Sequence, residues 1–174
     1  MAQLPGILQN SPLPITYKDF RETSSHFLTA RDKKILEQLS LEPPRKAVKT
    51  GSAVVDGFYL RERALRLSLE RIRAVKLKRD VSSMPEEDGL ISGAFETVQI
   101  ARTASGFESP LDAEMYLMRA RIDFIDILQV NHFFDSDAVF AYGLMLLLRE
   151  RSDRFTAEAG RTSYTTIYNQ ILGE

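Results

Sequence analysis

Apolar side chains recur along this chain at intervals of three and four, the spacing that lines one side of an α-helix. Leu111, Met115, Met118, Ile122 and Ile125 follow one another at steps of four, three, four and three. Ser109 stands before them as an N-cap, with Pro110 at the first helical position and Asp112 at the third, so a helix is predicted from Ser109 to Val130. A longer one is predicted from Ser52 to Arg79. At about 100° per residue, its Phe58, Leu65, Leu69 and Ile72 share one side. Leu60, Ala64, Leu67 and Ala74 share the nearly opposite side. Such a helix is either sandwiched between neighbours or packs one side and offers the other to a partner.

Ala138 to Leu148 is apolar nearly all round, which predicts a buried helix, capped by Asp135 or Ser136. Leu90 to Thr103 is a further amphipathic stretch with Ile91, Ala94, Phe95, Val98 and Ala101 on its inner side, followed by a turn over Ala104 to Glu108. Thr16 caps a short helix at Tyr17, and Thr29, with Asp32 three residues on, caps another that buries Leu36 and Leu39. Pro43-Pro44 ends that pair, and after the break at Gly160 a last short helix is predicted from Thr162 to Leu172. Residues 1–15 carry Pro5, Pro12 and Pro14, each of which pushes its predecessor away from helix, and are expected to form an extended arm. Residues 81–89, with Met84-Pro85-Glu86-Glu87-Asp88-Gly89, form an acidic linker between two helical halves. No segment alternates with period two for long. The expectation is a single all-α domain over residues 1–174: a helical bundle with one long central helix and a proline-rich extended N-terminal arm.

Composition narrows the chemistry. The 174 residues are 44% hydrophobic and 27% charged, within the globular range. There is no cysteine, which removes disulfides, thiol nucleophiles and cysteine-ligated metals, and fits a reducing cytoplasm. The net charge of −1 supplies no global field for nucleic acid or acidic lipid. Ala138–Leu148, the longest apolar run, is far short of the roughly 18 residues needed to cross a bilayer, so work at a membrane would go through a partner. The start lacks the basic and apolar pattern of a signal peptide.

Candidate catalytic features are sparse. Neither Gly-x-x-x-x-Gly-Lys nor Gly-x-Gly-x-x-Gly occurs, and Ser24-Ser25 and Ser82-Ser83 lack a Gly-x-Ser-x-Gly context. His132 precedes Phe133-Phe134-Asp135-Ser136-Asp137, with Asp123 and Asp126 upstream. No second histidine stands at ligand spacing, so the expected arrangement has the two phenylalanines plugging the core while the aspartates serve the next helix's N-terminus. Arg119 and Asp123 are placed for a helix-surface pair. The stretch Arg61–Arg79 holds eight basic residues against Glu62 and Glu70, a local charge of +6. These are spread between the two apolar sides, which fits solvated flanks or an acidic partner better than a phosphate track. No enzyme, cofactor or metal site is therefore expected.

Three passages resemble a bacterial family of uncharacterised proteins encoded inside V-type (A-type) ATPase operons. They are Leu4-Pro5 with Pro14-Ile15-Thr16-Tyr17-Lys18-Asp19-Phe20, then Phe27 to Leu36, and the run Ser109-Pro110-Leu111-Asp112 through Arg119-Ala120-Arg121-Ile122-Asp123 to His132-Phe133-Phe134-Asp135 and Ala141-Tyr142. Phe-Asp followed by a helix bearing Ala-Tyr is also similar to the ATPase C/d subunit, the helical cap between central stalk and membrane rotor. The chain departs from the family at Ser109, where asparagine is common, and at Ile122, where tryptophan is common; both keep cap and core roles. The resemblance implies association with V-type ATPase subunits and carries over no catalytic residue. The function expected is a non-catalytic accessory or structural component, cytoplasmic or peripheral to the inner membrane through its complex. The expected contact is the outward side of the long helix, with Leu60, Ala64 and Leu67 as anchors and Arg63, Arg71 and Lys78 as charged flanks. The alternative is a helical nucleic-acid-binding or regulatory adaptor using residues 61–79.

Overall fold

The computed structural model describes residues 4–7, 11–46, 48–80 and 94–155. Among them are six helices and no strand: α1 (Tyr17–Ser25), α2 (Ala30–Glu37), α3 (Ala53–Lys76), α4 (Ala94–Gly106), α5 (Pro110–Gln129) and α6 (Ser136–Asp153). The predicted linker 81–89 and the predicted helix 162–172 lie outside the described residues.

Helix starts follow local chemistry. The hydroxyls of Thr16, Thr29, Ser52 and Ser109 accept the backbone N–H three residues on, and Asp135 does the same for Ala138, leaving Ser136 as the first helical residue. Each bond satisfies an N–H that the helix itself leaves open. Thr16 and Thr29 donate in return to the carboxylates of Asp19 and Asp32, 2.8 Å each. Helix α3 ends in a Schellman arrangement: Arg79 N–H donates to Ala74 O at 2.9 Å while Lys78 takes a left-handed backbone, φ 52°.

Helix α6 lies at the middle of the main core. Phe140, Ala141, Leu144, Leu146 and Leu148 are buried with Phe20, Leu36, Val54, Phe58, Met118 and Ile125 from α1, α2, α3 and α5. The nearly all-apolar sequence of Ala138–Leu148 thus has neighbours on several sides. Helix α1 runs antiparallel to α6: Tyr17 N–H donates to Glu150 Oε1 at 2.7 Å, and the Phe20 ring lies 5.0 Å from Tyr142. Gly143 leaves room for Leu39, whose Cδ2 would stand 2.9 Å from a methyl there, while the Tyr17 and Phe20 rings would be at ordinary contact distance. The described residues before α1 lie along α6 as well. Tyr142 Oη donates to Pro5 O at 2.9 Å, Arg149 to Ser11 O at 3.2 Å, and Ile7, Leu13 and Ile15 pack on the core.

A second, smaller cluster joins α3, α4 and α5 through Leu65, Leu69, Ala101, Ala104 and Leu117. Here the sequence expectation needs correction. Ala104 to Gly106 continue α4 and form no separate turn, and the buried line runs Thr97, Ala101 and Ala104, with Val98 only half-buried. Small side chains at these positions set how closely α4 lies on α3, a preference that an apolar count alone does not register.

Candidate functional site

The expected contact side of α3 is divided by the fold. Ala64 is fully buried, so it belongs to the interior and cannot anchor a partner. Arg63 donates to the carbonyls of Pro44 and Lys46, tying the loop before α3 to its flank. Leu67 and Arg71 are half-buried, and Arg71 also has an interaction of its own. Leu60, 41% exposed, and Lys78, on the turn that closes α3, remain at the surface. The two apolar sides of α3 therefore reflect sandwiching over most of its length.

The basic residues of α3 are largely engaged within the molecule. Arg61 pairs with Glu96 at 2.9 Å and its guanidinium lies 4.0 Å from the Phe124 ring centre. Arg66 donates to Glu62 at 2.9 Å, and Lys76 Nζ to Ser105 O. Arg73, Lys78 and Arg79 are exposed at the helix end, where cations also offset the helix dipole.

Glu62 is the residue that sequence reasoning undervalued. Its carboxylate is 2% exposed and accepts two bonds from Arg121 of α5, at 2.9 and 3.0 Å, besides the one from Arg66. Burial alone would lower the Arg121 pKa; the hydrogen bonds and charge of Glu62, with Glu114 behind, reverse that and raise it. Glu114 stands 3.7 Å from Arg121 and pairs with Arg151 of α6 at 2.9 Å. An ionic chain thus runs α3–α5–α6, from the buried Glu62–Arg121 pair out to the partly exposed Glu114 and Arg151. Helical spacing marks Glu62 as neighbouring Arg66, but nothing local marks Arg121 as its partner, 59 residues away. A crevice beside this pair, lined among others by Phe58, Thr97, Ile100 and Phe124, encloses about 10 Å³, the room of one water.

The α5–α6 corner also departs from expectation. Phe133 and Phe134 are 74% and 84% exposed and plug no core. His132 turns inward along the corner instead, its Nδ1 2.6 Å from Asp135 and 3.8 Å from Asp137. The Asp135 hydrogen bond raises the His132 pKa; burial opposes it, and the charges of Asp135 and Asp137 add to the rise. Burial of Asp135 itself acts upward, but His132 and the Ala138 N–H outweigh it and lower the carboxyl. Asp137 accepts from Ser52 Oγ and from Ala53 N–H at 3.1 Å, which pins the N-terminus of α6 to that of α3. The aspartates do serve helix N-termini, two helices instead of one. Asp123 pairs with Arg119 at 3.2 Å on the α5 surface, away from His132. Among the described residues no three histidine, aspartate or glutamate side chains are grouped to hold a metal ion, and no helix is long and apolar enough to cross a membrane. Compared with known proteins, the chain matches no family model, no curated protein and no solved structure.

Proposed function

We propose that this chain is a non-catalytic component associated with a V-type ATPase, acting through protein contacts. Two things support the reading: the resemblance of the three passages to proteins encoded in such operons, and the use its charged side chains are put to. The observation that carries its non-catalytic part is the Glu62–Arg121 pair, whose buried charges join α3 to α5 beside a crevice of one water's size. In this reading α3 is the central strut of a bundle, the proline-rich N-terminal segment is an arm laid along α6, and the protein is cytoplasmic, reaching the inner membrane through its complex. Leu60 and the cationic end of α3, with Lys78, are the parts of the predicted contact that stay accessible.

A tagged chain purified from its native cells, at low and moderate salt, tests this. Co-purification of V-type ATPase subunits, reduced by Leu60→Glu, is the expected result. Recovery of nucleic acid at low salt only, with no ATPase subunit, would replace the reading with the nucleic-acid adaptor built on residues 61–79. Ala64→Asp is unsuitable as a contact probe, because it places a charge in the interior.

A further inference from the structure

One end of the bundle collects large apolar side chains on its surface. The C-terminus of α5 and the N-terminus of α6 meet there, and Asp137 brings the N-terminus of α3 to the same place. Because α1 runs antiparallel to α6, the loop after α1 closes at this end too. Phe133 and Phe134 project from the corner, and Ile127 and Val130, 61% and 59% exposed, lie on the last turns of α5. Phe27, 86% exposed, stands at the α1–α2 loop. Scattered exposed apolar residues need no explanation, but a gathering at one end marks a contact surface.

The polar residues around it are of both signs, with three exposed carboxylates whose charge Arg119 and His132 only partly balance. Asp123, Asp126 and Asp135 are exposed on α5 and at the corner. Arg119 pairs with Asp123, and His132 with Asp135. Asp126 has Gln129 as hydrogen-bond donor at 2.9 Å. Its pKa is raised by partial burial and then by the Asp123 charge, against the pull of Arg119, so the two carboxylates crowd each other. Arg31, near the α1–α2 loop, is turned to Thr50 O at 2.9 Å.

We propose that this end of the molecule docks a cationic amphipathic helix of another protein. The helix's apolar stripe covers Ile127, Val130, Phe133 and Phe134, and its flanking lysines or arginines meet Asp123, Asp126 and Asp135. An anionic bilayer would set its headgroups against these carboxylates, and a second copy placed face to face would set them against their own kind. A basic amphipathic partner satisfies both the apolar and the charged part. The proposal stands whether or not that partner belongs to an ATPase.

The test uses the full chain and a fluorescent designed helix of about 18 residues, with a leucine stripe flanked by lysines. The same peptide with scrambled order and a version with glutamate for lysine are the controls. Binding about tenfold or more tighter than either control is expected. Phe133→Ser/Phe134→Ser should lose about tenfold, as removal of central aromatic anchors does. Asp123→Asn/Asp126→Asn should lose about threefold and flatten the salt dependence. Both pairs change exposed positions, so melting temperature stays near that of the parent. Equal binding of the scrambled peptide, or unchanged binding by both variants, overturns the proposal. Binding to phosphatidylcholine–phosphatidylserine vesicles without peptide discrimination, or self-association that Phe133→Ser/Phe134→Ser abolishes, overturns it in favour of a lipid surface or a second copy.

Discussion

The cluster around α6 and the cluster under α4 hold the same chain together by different means. Around α6, large apolar side chains from four other helices, α1, α2, α3 and α5, surround Leu144, Leu146 and Leu148, and burial of each such side chain contributes about 1.5–3 kcal/mol. Under α4 the buried set is small, with Ala101 and Ala104 beside three leucines, and the apolar area is modest. Polar ties supplement it: Arg61 to Glu96, Lys76 to Ser105 O, and Glu62 to Arg121 at the boundary between the clusters. The lesson is that a helix with little apolar bulk is held chiefly by close approach, since the Arg61–Glu96 tie to α3 is solvated at Glu96 and adds little.

The contrast can be broken most directly in the cores. Leu144→Ala should cost about 3–5 kcal/mol and Leu117→Ala about 2–3 kcal/mol in denaturant unfolding. Equal losses would show that the small cluster is as tightly packed as the large one. At the boundary, Glu62→Ala should cost about 3 kcal/mol, because it leaves Arg121 mostly buried without its main partner. The double variant Glu62→Ala/Arg121→Ala should lose less than the sum of the single changes, and strict additivity would deny the coupling. Beyond the small cluster, Lys78→Gly should stabilise by about 0.5–1 kcal/mol, since glycine adopts the left-handed backbone without strain. A loss of stability there would assign the lysine stem a packing role.

The smallest effect expected is pH-dependent and touches the large cluster's end. The folded state raises the pKa of His132 above its ordinary 6.5 and lowers that of Asp135 below its ordinary 3.8. The pair's contribution is therefore full between those two ordinary values. It is lost as pH rises through the raised His132 value, and again as pH falls through the lowered Asp135 value. The melting-temperature gap between the parent and His132→Ala should be widest near pH 5–6 and narrow in alkali. A gap independent of pH would reduce the pair to ordinary packing.

Much of this architecture could be read along the chain. The caps at Thr16, Thr29, Ser52 and Ser109 and the proline at 110 are local signals, settled within one turn of the residue that carries them, whereas the predicted α5 stripe faces inward only at Met118, Ile122 and Ile125, and its first two members, Leu111 and Met115, are exposed. The buried character of α6 was legible as well, because a helix apolar in every direction has no side to give to water. Neither the inward line of α4 nor the choice of Asp135 over Ser136 as cap followed from pattern alone, since each depends on where the neighbouring helices lie.

By itself, then, the sequence determined the helical character of the described residues, where most of their helices begin, and which helix is buried. Only the tertiary structure decided that Ala64 is inside while Phe133 and Phe134 are outside, and that Glu62 meets an arginine 59 residues away. Periodicity says which side chains share a side of a helix. Which side is covered depends on the neighbours, and those neighbours come from distant parts of the chain.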